Sequence, residues 1–209
     1  MSVQEHADTN PHHEDPDLVG SRNRLGVILL LVADVAMALS VLFVYFYLRQ
    51  QNVNDMWLPA ATADTPAVLP ISTRGTWVVT ALAGLGLLSH FYGLMGARIK
   101  TSSTISQAQL VRGGTFAMAF SAAALVYQLG QISRAPFTTT SGAYASAYFL
   151  IAGLNTLHLV LTLFISIGNW NRSRLGLYVS DHWHVDLVNI WWIWMTISSL
   201  LGAFALSFT

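Results

Sequence analysis

The chain has 209 residues, of which 54% are hydrophobic and only 10% are charged, and its mean hydropathy is +0.51. Soluble domains average about 25% charged residues, so this composition indicates a membrane protein. Ten Lys and Arg side chains balance ten Asp and Glu and are scattered between apolar runs, so there is no basic patch that could bind nucleic acid. Cysteine is absent, which excludes thiolate metal sites and disulfides.

Residues 1–24 form a polar stretch that contains three histidines and five acidic side chains. A signal peptide begins with basic residues and continues into an apolar core, and this stretch has neither feature. We therefore predict a disordered cytoplasmic tail over residues 1–24 and a single transmembrane domain over residues 25–209.

Five apolar runs follow, each close to the length of about 20 residues that a membrane-spanning helix requires. Their approximate bounds are Leu25–Leu48, Thr76–Ala97, Leu110–Leu129, Ala143–Ile167 and Asp186–Phe208. The segments between them are short and polar, apart from residues 49–74, which contain three prolines and are too few for a separate domain. The sequence thus predicts an all-α fold, a polytopic transmembrane bundle of five helices.

The distribution of positive charge predicts the orientation of this bundle, because cytoplasmic loops are enriched in Lys and Arg. If the N-terminus is cytoplasmic, seven positive side chains lie inside and three lie outside. The inner set is Arg22, Arg24, Arg98, Lys100, Arg112, Arg172 and Arg174, and the outer set is Arg49, Arg74 and Arg134. We predict a multi-pass protein of the cell membrane with a cytoplasmic N-terminus and an extracytoplasmic C-terminus.

The first run contains a carboxylate, Asp34, within the segment LLLVADVAMALS. A carboxylate near mid-membrane costs roughly 2.5–3.5 kcal/mol on insertion scales, so we expect Asp34 to face protein, water or a lipid headgroup. Two interpretations are open on physical grounds. Asp34 either contacts protons or lipid, or is a protonated acid that is hydrogen-bonded within the bundle.

The second run is rich in small residues and contains one histidine, His90. Small residues in a membrane helix usually permit close contact with a neighbouring helix, and we interpret the glycines here in this way. They are Gly84, Gly86, Gly93 and Gly96. Because a buried imidazole costs free energy unless it is paired, we interpret His90 as a hydrogen-bonded structural group rather than a ligand.

A polar turn precedes the fourth run, and its hydroxyl groups together with Gly142 predict a helix that starts at Ala143. Two aromatic residues, Tyr144 and Tyr148, lie near the start of the run, and His158 lies deep inside it. An intramembrane histidine marks a specific packing or functional site. As with His90, the interpretation we favour is a structural hydrogen bond.

The last run opens with His182, His184 and Asp186, whose side chains have suitable chemistry for binding a metal ion. Residues two apart on an α-helix point some 200° apart, so both imidazoles reach one ion only if this stretch is not helical. We therefore predict no metal site and treat His184 and Asp186 as structural polar groups. Three tryptophans follow, Trp191, Trp192 and Trp194, which we interpret as bulk that faces lipid or another subunit.

The fourth run and the turn before it resemble the sixth transmembrane helix of subunit III of the haem–copper oxidases. That family shows an Ala-Pro-Phe-Thr turn, a Gly-x-Tyr-x-Ser helix start and a Thr-Gly-Phe-His-Gly-Leu-His run. The corresponding segments here are residues 135–138, 142–146 and 152–158. The second histidine of the family's run is kept as His158, and Asn155 replaces the first.

Further matches to the same family extend the resemblance over nearly the whole chain from Leu25. Asp34 stands where the family has a glutamate in a Ser-Glu-Val-Met-Phe-Phe context, and His90 stands where the family often has a histidine pair. Trp183-His184-Val185-Asp186 resembles a Trp-His-Phe-Val-Asp run, with the histidine and aspartate one residue closer together. The two extra N-terminal helices of longer members have no counterpart, which is typical of the five-helix form.

The resemblance implies a cofactor-free subunit III of a proton-pumping terminal oxidase in aerobic respiratory electron transport. Its implied partners are oxidase subunits I and II, which carry the haem and copper, and membrane lipids bound in the cleft of a V-shaped bundle. The residue inventory agrees, because haem and copper ligation requires several intramembrane histidines or cysteine thiolates, which this chain lacks.

This chain would then support proton uptake, lipid binding and stability of the catalytic subunit, without catalytic or cofactor-binding residues of its own. Asp34 would be the lipid or proton contact, and His158 would tie helices together. An alternative within the family is an accessory protein of a nitric oxide reductase. A small transporter, with Asp34, His90 and His158 along a polar path, is disfavoured because no internal repeat and no proline occur within the five runs.

Overall fold

A computed structural model describes residues 16–98, 103–178 and 183–208 of the chain. Within these ranges the chain forms five long helices and one short 3₁₀ turn, Val53–Asp55, with no β-strand. The helices are α1 (Pro16–Gln51), α2 (Arg74–Arg98), α3 (Ser103–Ser133), α4 (Ala143–Arg174) and α5 (Trp183–Leu206). Each is long and apolar enough to cross a membrane, which confirms the predicted five-helix transmembrane bundle.

The helices extend beyond the apolar runs in the sequence. α1 begins at Pro16, so residues 16–24, which we assigned to the polar tail, are helical. α3 begins at Ser103 and α4 continues to Arg174. Hydropathy detects only the part of a helix that lies in hydrocarbon, and polar turns at its ends add residues that this signal misses. Residues 1–15 of the predicted tail lie outside the described residues.

The bundle consists of a ring of four helices and a fifth helix outside it. α2 packs against α3 and α5, while α4 packs against α3 and α5, which closes the ring. Among the described helices, α1 contacts only α4 and α5. Its inner stripe is short and comprises Ala38, Val41 and Tyr45, all of which are buried. The rest of α1 is largely exposed and apolar, as expected of a surface that meets lipid or another protein.

Close backbone contact joins α2 to α3. A Cβ atom on Gly113 would lie 2.6 Å from the Gly93 Cα and 2.6 Å from the Ser89 carbonyl oxygen, so only glycine fits there. Gly86 likewise lies against the Trp192 ring of α5. Small residues therefore permit helix contact as predicted, except at Gly84, where a Cβ would meet no atom within 4 Å.

The segment between α1 and α2 covers the start of α4. The Ala143 amide donates to the Met56 carbonyl at 2.9 Å, and the Tyr144 amide donates to the Trp57 carbonyl at 3.1 Å. These bonds satisfy two of the amide groups that the first turn of a helix leaves without intrahelical partners. The Tyr144 hydroxyl in turn accepts a hydrogen bond from the Ile71 amide at 3.1 Å, which holds the segment against the first turn of α4.

Candidate functional site

Side chains from three helices meet in a polar cluster inside the bundle, which we call the three-helix cluster. It consists of Asp34 on α1, His158 on α4, and Trp194 and Ser198 on α5. The His158 Nε2 lies 3.1 Å from the Asp34 Oδ1 and 2.9 Å from its Oδ2. The Trp194 Nε1 donates to the Asp34 Oδ2. On the other side of the imidazole, the Ser198 hydroxyl lies 3.2 Å from Nδ1.

Helical periodicity explains how these residues meet. Trp191, Trp194 and Ser198 are spaced i, i+3 and i+7, so they share one face of α5. On α4, His158 and Thr162 share the face that meets it. The cluster therefore lies along the line where α4 and α5 converge, and α1 brings Asp34 to it from outside the ring.

The hydrogen-bond pattern accommodates a neutral imidazole without leaving a nitrogen unpaired. With its proton on Nε2, His158 donates to the Asp34 carboxylate, and Nδ1 accepts the Ser198 hydroxyl. The carboxylate then receives two N–H groups, one from His158 and one from Trp194. Two donors of this kind offset much of the free energy of placing a carboxylate at membrane depth.

A further pair of residues supports the imidazole. The Thr162 hydroxyl donates to the His158 carbonyl at 2.7 Å, and the Trp191 Nε1 donates to the Thr162 hydroxyl at 2.8 Å. The edge of the Trp191 ring also meets the His158 ring, with centroids 5.9 Å apart at 89°. The imidazole is thus enclosed by protein and held in a single orientation.

The two titratable groups of the cluster differ in burial. The His158 side chain is 1% exposed, whereas the Asp34 side chain is 16% exposed. Asp34 lies on the helix that packs outside the ring, so part of its side chain reaches the outer surface of the bundle. The cluster can therefore offer one fixed carboxylate to a molecule outside the bundle, such as a lipid headgroup or a proton donor.

Asn155 lies one turn from His158 on α4 and forms a separate interhelical hydrogen bond. Its Nδ2 donates to the Gln128 Oε1 on α3 at 3.1 Å. In the described residues it makes no hydrogen bond to the three-helix cluster. The two polar positions of the predicted run therefore have different partners: His158 joins α1 and α5, and Asn155 joins α3.

His90 lies in another part of the ring, between α2 and α5. Its Nε2 is 3.3 Å from the Val185 carbonyl, and its ring stacks on Trp192 with centroids 6.3 Å apart. The side chain is buried. His90 therefore joins two helices and does not share a polar path with Asp34 and His158.

The start of α5 contains an ion pair and an aromatic stack. The Arg98 guanidinium donates to the Asp186 Oδ1 at 2.5 Å, and the His184 ring stacks on Trp183 with centroids 3.4 Å apart. No group of three His, Cys, Asp or Glu side chains that could hold a metal ion occurs within the described ranges. His182, the third residue that the sequence analysis considered as a metal ligand, lies outside the described residues.

Tyr178 packs between these groups and the end of α4. Its ring lies 5.9 Å from the His184 ring and 5.6 Å from the Arg172 guanidinium. Burial raises the pKa of the Tyr178 phenol, and the nearby positive charge of Arg172 opposes this shift. The phenol therefore stays neutral and helps to pack this end of the bundle.

Our interpretation of the three tryptophans of α5 is wrong. Trp191 and Trp192 are buried, and Trp194 is partly buried with its N–H on the Asp34 carboxylate. Sequence reasoning missed Trp194 and Ser198 as members of the cluster. A signal was present, because an indole N–H inside a membrane needs an acceptor, and Trp191, Trp194 and Ser198 share one helical face.

Five membrane-spanning helices and a buried hydrogen-bonded cluster define a polytopic helical membrane protein. The family model of cytochrome c oxidase subunit III matches residues 3–201. The chain belongs to this family, as the motifs of the fourth helix predicted.

Several proteins named cytochrome c oxidase subunit 3 are similar to this chain. The one from Rhizopus stolonifer is 24% identical over 187 residues, covering 83% of this chain and 62% of that protein. The one from Marchantia polymorpha is 27% identical over 193 residues, covering 84% and 66%. The one from Trichophyton rubrum is 24% identical over 166 residues, covering 77% and 57%. The chain thus spans less than two thirds of the length of these three relatives.

Proposed function

We propose that the chain is the subunit III of a proton-pumping haem–copper terminal oxidase. In this role it binds oxidase subunits I and II, which hold the haem and copper, and carries no cofactor itself. The family match and the names of the similar proteins support this proposal. The excess of Lys and Arg on one side supports a cell-membrane protein with its N-terminus in the cytoplasm.

Within this function, we assign to Asp34 the contact with protons or a lipid headgroup. The observation that carries the assignment is the pairing of a nearly enclosed imidazole with a carboxylate that keeps 16% of its side chain exposed. His158 and Trp194 act as positioning residues, because their N–H groups fix the carboxylate at the edge of the bundle.

We infer that Asp34 at this position supports proton uptake and the stability of the catalytic subunit. A carboxylate held by two donors at the surface of the bundle can exchange a proton with a neighbour or contact a lipid, and either event affects the protein that α1 faces. The exposed apolar surface of α1 provides the area on which a partner or ordered lipid can lie. The remaining candidates, His90, Asn155, His184 and Asp186, are assigned structural roles.

Co-purification tests the proposed function most simply. The chain, tagged at its C-terminus, is extracted from its own membranes in a mild detergent and captured. We expect a stoichiometric complex that shows haem absorption, consumes oxygen and, after reconstitution in vesicles, pumps protons. A partner that consumes nitric oxide instead would replace this proposal with the reductase alternative. Capture of the chain alone, with flux of protons or solutes in vesicles, would replace it with a transporter.

A further inference from the structure

An open groove lies on the bundle surface where α3 ends and α4 begins. The segment before α2 forms one wall, the last turns of α3 form the other, and the turn between α3 and α4 closes the end. Its volume is about 730 Å³, within the range of roughly 300–1,000 Å³ that is common for small-molecule sites. The residues that matter most are Leu69, Ile71, Val126, Tyr127, Gln131 and Arg134.

The groove is amphipathic along its length. Its long walls are apolar, and Val126 is 71% exposed on one of them. The polar end carries Arg134, and in the described part of the chain no carboxylate lies within ion-pair distance of this side chain. Gln131 lies one turn before Arg134, but its amide packs against Gly75 of α2, so Arg134 is the charged group at this end of the groove.

The depth of the groove fits a membrane lipid. Arg134 follows the last residue of the α3 span, Ser133, so its guanidinium lies at the level of lipid headgroups. Val126 lies two turns deeper, within the hydrocarbon region. Tyr127 and Tyr148 also line the groove.

We propose that this groove binds one anionic phospholipid. The phosphate pairs with the Arg134 guanidinium, and an acyl chain follows the apolar wall past Val126. Charge complementarity selects this occupant, because the Arg134 guanidinium lies at headgroup depth directly above an apolar groove. The proposal concerns a different surface from Asp34 and does not depend on the oxidase function.

Two substitutions test the site with little effect on the fold. Arg134→Gln removes the cation, and its matched control Arg74→Gln removes an exposed charge on the same predicted side of the membrane, outside the groove. Gly130→Leu fills the groove, because Gly130 lines it and a Cβ there meets no atom within 4 Å. Gly84→Leu is its control, since Gly84 also has open space but lies on α2 away from the groove.

The measurement is the apparent Kd of the full-length chain, with any subunits that purify with it, for phosphatidylglycerol in detergent by native mass spectrometry. Arg134→Gln is expected to weaken binding by about tenfold, and Arg134→Lys by less, because lysine keeps the charge without the bidentate geometry. Gly130→Leu is expected to abolish binding of one lipid per chain. Arg74→Gln and Gly84→Leu should bind like the unmodified protein, and phosphatidylcholine should bind more weakly to it.

Equal phosphatidylglycerol binding by Arg134→Gln, Gly130→Leu and the unmodified chain would overturn the proposal. A photoreactive residue at position 126 gives a second, independent readout in native membranes. Crosslinks to phospholipid support the proposal. Crosslinks to another polypeptide would show that a partner helix covers the groove instead. Circular dichroism of each variant confirms that the helices are retained.

Discussion

The contact between α2 and α3 and the contact that holds α1 to the ring use opposite chemistry. α2 and α3 approach so closely at Gly93 and Gly113 that a carbon atom added to Gly113 would collide with the backbone of α2. α1 has only a short buried stripe, and Asp34 provides its hydrogen bonds to α4 and α5. Lipid tails are as apolar as the helices, so close packing and hydrogen bonds have to hold the bundle together.

The comparison suggests a division of labour within the molecule. The glycine contact is rigid and contains no titratable group, so it is suited to a scaffold. The three-helix cluster is directional and places a carboxylate at the surface of the scaffold, so it is suited to function. Substitutions should therefore affect assembly most strongly at the first contact, and function most strongly at the second.

The largest effect on assembly is expected from Gly113→Leu. The new side chain would meet the Gly93 Cα and the Ser89 carbonyl, and backbone atoms at this contact cannot move aside cheaply. Overpacking a tight core costs about 1–3 kcal/mol and at times more, so we expect poor yield and early thermal unfolding in detergent. Gly168→Leu, at a helical glycine with open space around it, is the control and should unfold like the unmodified protein.

His158→Ala should destabilise the bundle by a smaller amount, about 2–3 kcal/mol in free energy of unfolding. It removes one donor to Asp34 and leaves space around a side chain that is 1% exposed. A double-mutant cycle with Asp34→Ala measures the coupling, which we expect to be about 1 kcal/mol or more. If the two losses of stability are additive, the side chains do not interact, and the Asp34–His158 hydrogen bond does not hold α1 to the ring.

Trp194→Phe isolates one hydrogen bond of the cluster and should cost about 1–2 kcal/mol beyond the loss of ring volume. The chain supplies a matched control in Trp192→Phe, because the Trp192 Nε1 is buried with no hydrogen-bond partner among the described residues. Thermal unfolding of both variants gives the difference. If Trp192→Phe is equally or more destabilising, the Trp194 indole contributes volume only and does not position Asp34.

The smallest effect is expected from Asp186→Asn, which breaks the pair with Arg98 at the start of α5. The two side chains are 57% and 33% exposed, and exposed ion pairs contribute only about 0–1 kcal/mol. The loss should shrink further at high salt. An effect as large as that of His158→Ala would show that this end of the bundle, rather than the three-helix cluster, carries a specific polar site.

The sequence allowed the helices and their polar positions to be predicted, because hydropathy and the motifs of the fourth run are local signals. It also identified Asp34 and His158 as residues that need partners, since the free energy of burying them is high in any fold. It did not pair them, because Asp34 and His158 are 124 residues apart and depend on which helices are neighbours. The burial of the three tryptophans of α5 could not be predicted for the same reason, because the packing of the bundle decides which face of a helix is buried.

We propose that Asp34, besides joining α1 to the ring, acts for a neighbouring catalytic subunit. The measurement is the activity of the purified complex carrying Asp34→Ala, followed through repeated turnover together with its haem spectrum. We predict that haem content and assembly are retained, that activity decays several-fold faster than in the unmodified complex, and that Asp34→Glu, which keeps a carboxylate, decays more slowly than Asp34→Ala. Loss of the haem spectrum, or a decay identical to that of the unmodified complex, would contradict the account.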